Sequence, residues 1–179
     1  MIRLCILMAL ALGVSALSAN QLSAEGVEET VTATVTGQSV SMTVSPTSID
    51  YGTVPFESSQ SSLAAAGGPI TFTATNTGNV NEDFLVRGTD ATGSGFTWTL
   101  QNGAFACGSP TNNNKFRHSV APVSQPAIFL TTADDFLATA VAPAGSQPFN
   151  SEIYMPCFGS DGAGLVATTQ IVVTAVAVP

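Results

Sequence analysis

Apolar and polar residues alternate along most of the chain, which is the pattern of β-strands that bury one face and expose the other. The first such run places Val31, Ala33 and Val35 between threonines. The second run covers residues 40–44 and places valine and methionine between serines and threonines. Each run predicts a strand with one apolar face.

The two runs are out of phase, and Gly37 lies between them. A strand that continued straight through would turn its apolar face to the other side of the sheet. One interpretation is that residues 29–36 form a separable strand that completes the sheet of another copy, with Val31, Ala33 and Val35 inserted and Gly37 as the hinge. The other is a bulged first strand that crosses between the two sheets of its own domain. The sequence leaves both interpretations open.

Later segments repeat the alternation and are separated by turns rich in glycine, asparagine and proline. They predict about nine to eleven strands and no helix in the body of the chain. We therefore predict an all-β fold, an antiparallel β-sandwich of immunoglobulin-like or jelly-roll type. Seven large residues on the apolar sides of their runs are predicted to be buried: Phe72, Phe96, Trp98, Phe116, Phe149, Ile153 and Ile171.

The start of the chain has the composition of an export signal. Arg3 supplies a positive charge, and residues 4–17 are apolar or small. This stretch is too short to cross a hydrocarbon core of about 30 Å as a helix. We predict that residues 1–18 are a cleaved signal peptide, that residues 19–37 carry the N-terminal strand, and that residues 38–179 form the sandwich. The protein is then expected outside the cell or on its surface.

The cysteines fit an oxidising compartment. Removal of the signal peptide takes away Cys5 and leaves Cys107 and Cys157. Two cysteines in an exported chain predict one disulfide. Two buried free thiols are the alternative.

The net charge limits the partners. The whole chain carries −8, and without Arg3 three basic side chains face twelve acidic ones, giving −9. Such a chain cannot supply the phosphate contacts that binding to nucleic acid requires, and it is repelled by anionic membranes. We therefore expect no nucleic acid and, after signal cleavage, no membrane as a partner.

A hydrophobic content of 45% is enough to form a core and excludes a disordered chain.

No combination of residues predicts catalysis or a bound cofactor. His118 is the one histidine and alternates with apolar residues, whereas a zinc site needs three or four ligands. No serine lies in a Gly-x-Ser-x-Gly motif. Residues 90–95 place oxygen side chains at positions one, three and five, as calcium loops do, but Gln101 stands where an EF-hand has glutamate. We predict no enzyme activity, no cofactor and no metal, and the sequence leaves calcium at Asp90 open.

Two segments carry a resemblance to a known family. Residues 45–54, S-P-T-S-I-D-Y-G-T-V, are followed by residues 70–78, I-T-F-T-A-T-N-T-G. They resemble secreted bacterial and archaeal immunoglobulin-like domains, which carry S-P-x-S-aliphatic-x-aromatic-G-x-V and then a strand that ends in T-N-T-G. More loosely, the alternating segment at residues 29–36 resembles the start of donor-strand surface-fibre subunits, such as spore-coat-U-type pili and biofilm-matrix fibres. The resemblance implies a β-sandwich and, for the fibre subunits, assembly from copies of one chain.

Two functions from different classes follow. The first is an extracellular structural protein, the subunit of a surface pilus or matrix filament assembled by β-strand donation between copies of itself. The alternative is a monomeric secreted immunoglobulin-like adhesion or carbohydrate-binding module. Trp98 could then be a sugar-stacking platform, but its alternation with Phe96 and Leu100 predicts a core tryptophan instead.

Overall fold

A computed structural model of the chain describes residues 32–103, 106–107 and 113–178. The predicted signal peptide and Val31 lie outside the described residues. A compact unit begins at Gly37. Its secondary structure is β apart from a single 3-10 turn, Ser62–Ala64. The strands, numbered β1 to β12 in chain order, are Met42–Ser45, Ser59–Ser61, Phe72–Asn76, Glu82–Gly88, Ala91–Gly93, Phe96–Leu100, Lys115–Pro122, Ile128–Phe129, Asp135–Val141, Ser146–Tyr154, Ala167–Thr168 and Ile171–Ala177.

The strands form two sheets of unequal width. The larger sheet has nine strands in the order β1-β3-β10-β7-β6-β5-β11, with β2 added to β10 and β8 to β7. The smaller has three, in the order β12-β4-β9. The all-β sandwich is therefore confirmed. Within the described residues it has twelve strands, one more than the upper end of our expectation, because short strands such as β8 and β11 have only two residues.

One strand pair differs from the predicted antiparallel arrangement. Strands β6 and β7 run parallel, with Thr99 beside Lys115 and Leu100 beside Phe116. A parallel pair needs a crossover of about a dozen residues or more, whereas a hairpin turn suffices for an antiparallel pair. The polar segment at residues 101–114 is long enough to supply this crossover.

The main core fills the space between the two sheets. Its buried members come from both sheets: Phe72, Ala74, Val120 and Phe149 from the larger, and Phe84, Val86 and Leu137 from the smaller, with Leu130 beside them. The rings of Phe72 and Phe149 stack with centroids 5.3 Å apart. Each fully buried phenylalanine contributes about 1.5–3 kcal/mol to folding. The alternation of the sequence therefore translates directly into one shared apolar layer.

A second cluster, containing Phe96, Trp98, Phe116 and Ile153, packs under the far end of the larger sheet. Six of the seven residues predicted to be buried are buried. The exception is Ile171, which packs against the main core but stays partly exposed. It lies on β12, the end strand of the smaller sheet, where no further strand of the described chain covers it.

The structure joins Cys107 to Cys157, with the Cα atoms 5.3 Å apart. The predicted pairing is therefore confirmed. The bond ties the crossover between β6 and β7 to the segment that follows β10. It closes a loop of 50 residues, so it restricts a large part of the unfolded chain.

Candidate functional site

The described part of the N-terminal segment belongs to no strand. Residues 32–41 have no strand assignment, and residues 32–40 are all exposed. Val35 is 91% exposed. Ala33 and Val35, two of the three residues predicted to insert into a neighbour, are therefore exposed and belong to no strand of the described residues. Strand pairing begins at Met42, which lies opposite Asn76 on β3.

Asn79 holds the point where the domain begins. Its side-chain amide donates to the Gly37 carbonyl oxygen at 2.8 Å, and its Oδ1 accepts from the Ser39 amide at 2.7 Å. The Asn79 main-chain amide donates to the Ser39 carbonyl at 3.0 Å. A Cβ added at Gly37 would meet no atom within 4 Å. Gly37 therefore has open space around it, and the chain is held there by hydrogen bonds from Asn79.

Glu82 completes this attachment from inside the protein. It is fully buried, and one carboxylate oxygen accepts from the Ser41 amide at 2.8 Å, whereas Oε2 has no partner among the described residues. Gly78 lies against the same carboxylate, and a Cβ there would collide with Glu82 and with the Ser39 carbonyl. The sequence indicated a turn at residues 76–79 but gave no sign that Asn79 and Glu82 bind the start of the domain.

A long groove opens beside β12, and we call it the β12 groove. One wall is the irregular segment at residues 46–56, and the other is residues 162–173, which run into β12. Its volume is about 1310 Å³, larger than the roughly 300–1,000 Å³ typical of small-molecule sites. Core side chains line it, among them Phe72, Trp98, Phe149 and Ile153. It was not predicted, because it is formed by segments about 120 residues apart in the sequence.

A buried polar network fixes one wall of the β12 groove to the larger sheet. The Tyr51 hydroxyl lies 3.0 Å from Nε2 of His118 and 2.6 Å from Oγ of Ser151. Burial raises the pKa of Tyr51 to about 12, the charge of Glu152 acts in the same direction, and the Ser151 hydrogen bond opposes them. Burial also lowers the pKa of His118 to about 4, so the imidazole is neutral at pH 7. Its Nδ1 has no partner among the described residues.

The hydrogen bonds of this network hold segments of the protein together. An activated serine needs a hydrogen bond from its hydroxyl to a base. Here the Tyr51 phenol lies between the Ser151 hydroxyl and the His118 imidazole, and both outer residues are buried. The network holds residues 46–56 against the strands that carry His118 and Ser151, β7 and β10.

The other residues considered for metal or sugar binding make structural contacts instead. Oδ1 of Asp90 accepts from the Leu100 amide at 2.7 Å, which closes the hairpin of β5 and β6. Glu57 lies near the sulfurs of Cys107 and Cys157, but those sulfurs are bonded to each other and cannot act as thiolate ligands. Trp98 is 3% exposed and donates from Nε1 to the Asp161 carbonyl. Its ring is therefore unavailable as a sugar platform.

Comparison with protein-family models, with curated proteins and with solved structures gave no match. The resemblance to fibre subunits stays a prediction that rests on the sequence segments alone. Within the described ranges, no helix has the length and hydropathy needed to cross a membrane.

Proposed function

We propose that this protein is the subunit of an extracellular filament. In the filament, residues 29–36 of each copy, here called the donor segment, add as a β-strand to the sheet of the next copy. Secretion, the homopolymer and the strand exchange are all parts of this proposal.

The observation that carries the proposal is the exposure of Ala33 and Val35. The competing interpretation, a bulged first strand within the same domain, requires these side chains to face the core of their own sandwich. Val35 is instead 91% exposed, and the first strand begins only at Met42. A segment with strong β propensity and one apolar face, whose described residues belong to no strand, is suited to pairing with another chain.

The energetics favour burial of the donor segment in a neighbour. Burying a valine side chain is worth roughly 1.5–3 kcal/mol. If the donor segment is extended as a strand, Val31 and Val35 fall on the same face, because side chains alternate along a strand. From residue 30 to residue 36 the segment has no charged side chain. It can therefore approach another acidic copy without charge repulsion at the contact.

The first experiment compares the chain from residue 19 with a variant that lacks residues 27–36, by electron microscopy and gel filtration. We expect filaments from the first and a folded monomer from the second. Unfolding of the truncated chain would instead support the bulged-strand interpretation. A compact monomer from the chain with residues 27–36, at every concentration, would contradict the proposal and favour the monomeric binding module.

A matched pair of substitutions tests the direction of the apolar face. Val35→Asp places a charge on the side that would be buried, and an unpaired buried charge is strongly unfavourable. Thr34→Asp adds the same charge one residue away, on the opposite face. We expect Val35→Asp to abolish filaments and Thr34→Asp to retain them, and equal effects of the two would contradict strand insertion.

A further inference from the structure

The place where the donor segment binds follows from the unequal width of the two sheets. The smaller sheet ends on β12, whose outer edge pairs with no strand of the described chain. The β12 groove runs beside that edge and is lined by Ile171, Val172 and Val173. We infer that the donor segment of a second copy binds in the β12 groove and extends the smaller sheet as a fourth strand next to β12. This inference rests on the proposed function.

The backbone of β12 offers hydrogen bonds in the required direction. The Gln170 carbonyl accepts from the Thr89 amide at 3.1 Å, on the side of β12 that faces β4. At the other end of the strand, the Val178 amide donates to the Asn81 carbonyl at 3.0 Å on the same side. In an antiparallel sheet, residues whose N–H and C=O groups point to the neighbouring strand alternate with residues whose groups point to the opposite edge. Residues 170 and 178 point to β4, so the even-numbered residues between them do too. Ile171 and Val173 therefore present their N–H and C=O groups on the edge away from β4, where the groove lies.

The side chains match in spacing. Core-facing side chains on β12 recur at every second residue, at Ile171, Val173 and Ala175. The three apolar residues of the donor segment recur with the same period, so one register in either strand direction places them on the core face. Of the three β12 side chains, Ile171 and Val173 line the groove. The eight residues of the donor segment extend about 26 Å. Each wall of the groove is a longer stretch of chain than the donor segment.

The partial exposure of Ile171 supports the same site. It was predicted to be buried, and it packs on the main core, yet the open groove leaves one side of it uncovered. A strand beside β12 would bring Val or Ala side chains next to it. The predicted burial of Ile171 would then be completed by the neighbouring copy.

The charge of the groove fits this occupant. Of the described residues that line it, Asp50 alone carries a charge, and its carboxylate accepts from the Gly52 amide at 2.8 Å. The chain as a whole has a net charge of −8. Two acidic copies can therefore meet where each contacting surface carries one charged side chain, Asp50 among the described groove residues and Glu29 at the end of the donor segment.

The first test removes one hydrogen-bond donor from the edge. Val173→Pro deletes the outward N–H, and proline is tolerated on a strand where its nitrogen faces away from the sheet. Thr174→Ala is the control, because it changes the solvent-exposed side chain of the next residue and keeps every main-chain N–H group. In the full chain we expect Val173→Pro to fold, by circular dichroism, and to lose at least about tenfold in filament mass, and Thr174→Ala to assemble. Filaments at the level of the unsubstituted protein from Val173→Pro would overturn the inference.

The second test decides the matter if Val173→Pro does not fold. Hydrogen exchange at residue resolution is measured in filaments of the unsubstituted chain and in the monomeric Val35→Asp chain. We expect the amides of Ile171 and Val173 to exchange at least about tenfold more slowly in filaments, whereas the Val172 amide, which is bonded to β4, is slow in both. Equal exchange at Ile171 and Val173 in the two states would overturn the inference.

The two proposals fail in different ways. If the unsubstituted chain forms no filaments, the proposed function is wrong. If filaments form and depend on Val35, but the amides of Ile171 and Val173 stay unprotected, the donor segment binds elsewhere and only the site inferred here is wrong.

Discussion

The hydroxyl of Tyr51 lies 3.0 Å from Nε2 of His118 and joins a wall of the β12 groove to strand β7. His118 is buried, Tyr51 is half-buried, and the buried Ser151 hydroxyl contacts the same phenol oxygen. Because burial favours the neutral form of the His118 imidazole, we expect the attachment of this wall to weaken in acid.

The first prediction concerns acid stability. The pKa of His118 is lowered to about 4 by burial, whereas an unfolded histidine titrates near 6.5. The unfolded chain therefore binds a proton that the folded protein excludes. The stability that this residue contributes is complete above pH 6.5 and is lost as the pH falls toward 4, by about 3 kcal/mol. Urea unfolding at a series of pH values measures it.

The control for the acid prediction is His118→Gln, which keeps a polar side chain and does not titrate. Because a change of pH acts on the whole protein, the informative quantity is the difference in unfolding free energy between the two proteins. We expect the difference in unfolding free energy to change between pH 6.5 and 4. A difference that is constant with pH would contradict a buried neutral histidine.

The second prediction concerns the exit of the donor segment. Asn79→Ala removes the two side-chain hydrogen bonds, with the Gly37 carbonyl and the Ser39 amide, and keeps the main-chain bond to the Ser39 carbonyl. We expect the Ser39 amide to exchange faster. These bonds are exposed, so the loss of unfolding free energy should be small, about 1 kcal/mol or less. Asn79→Asp is the matched variant, because it keeps an acceptor for the Ser39 amide. Exchange at Ser39 as fast in Asn79→Asp as in Asn79→Ala would show that the acceptor is unimportant.

The third prediction concerns the disulfide. Replacing Cys107 and Cys157 together by serine releases a loop of 50 residues, and the chain-entropy account gives a loss of about 4 kcal/mol. Denaturant unfolding of the two proteins at equal ionic strength measures the loss. A thiol assay on the native, unreduced protein provides the check on the starting state, and two titrating thiols there would contradict the bond.

The fourth prediction concerns Trp98. Its ring packs edge-on against Phe56, with centroids 6.1 Å apart, and beside Phe96. Trp98→Ala should lower the free energy of unfolding by about 3–5 kcal/mol, because it leaves a cavity in the second cluster. Thermal unfolding measures this. An unchanged melting temperature would place the ring on the surface and reopen carbohydrate binding as a function.

The sequence by itself determined the all-β class, the burial of six of seven core residues and the cysteine pairing. It could do so because period-two alternation is a local property of each strand, and because a chain with only two cysteines in its domain has one possible pairing. The parallel contact of β6 and β7 was missed, since strand direction depends on the path of a long polar crossover.

Only the tertiary structure decided which strand lies at the end of a sheet and what lies beside it. The alternation at Ile171 predicts a buried residue, as it does at Phe149, but Phe149 lies on a central strand and Ile171 on an end strand with a groove next to it. The Tyr51–His118 contact and the groove itself likewise join residues far apart in the chain. A pattern of neighbouring residues specifies which face of a strand is apolar, whereas the cover over that face is supplied by segments that the pattern cannot identify.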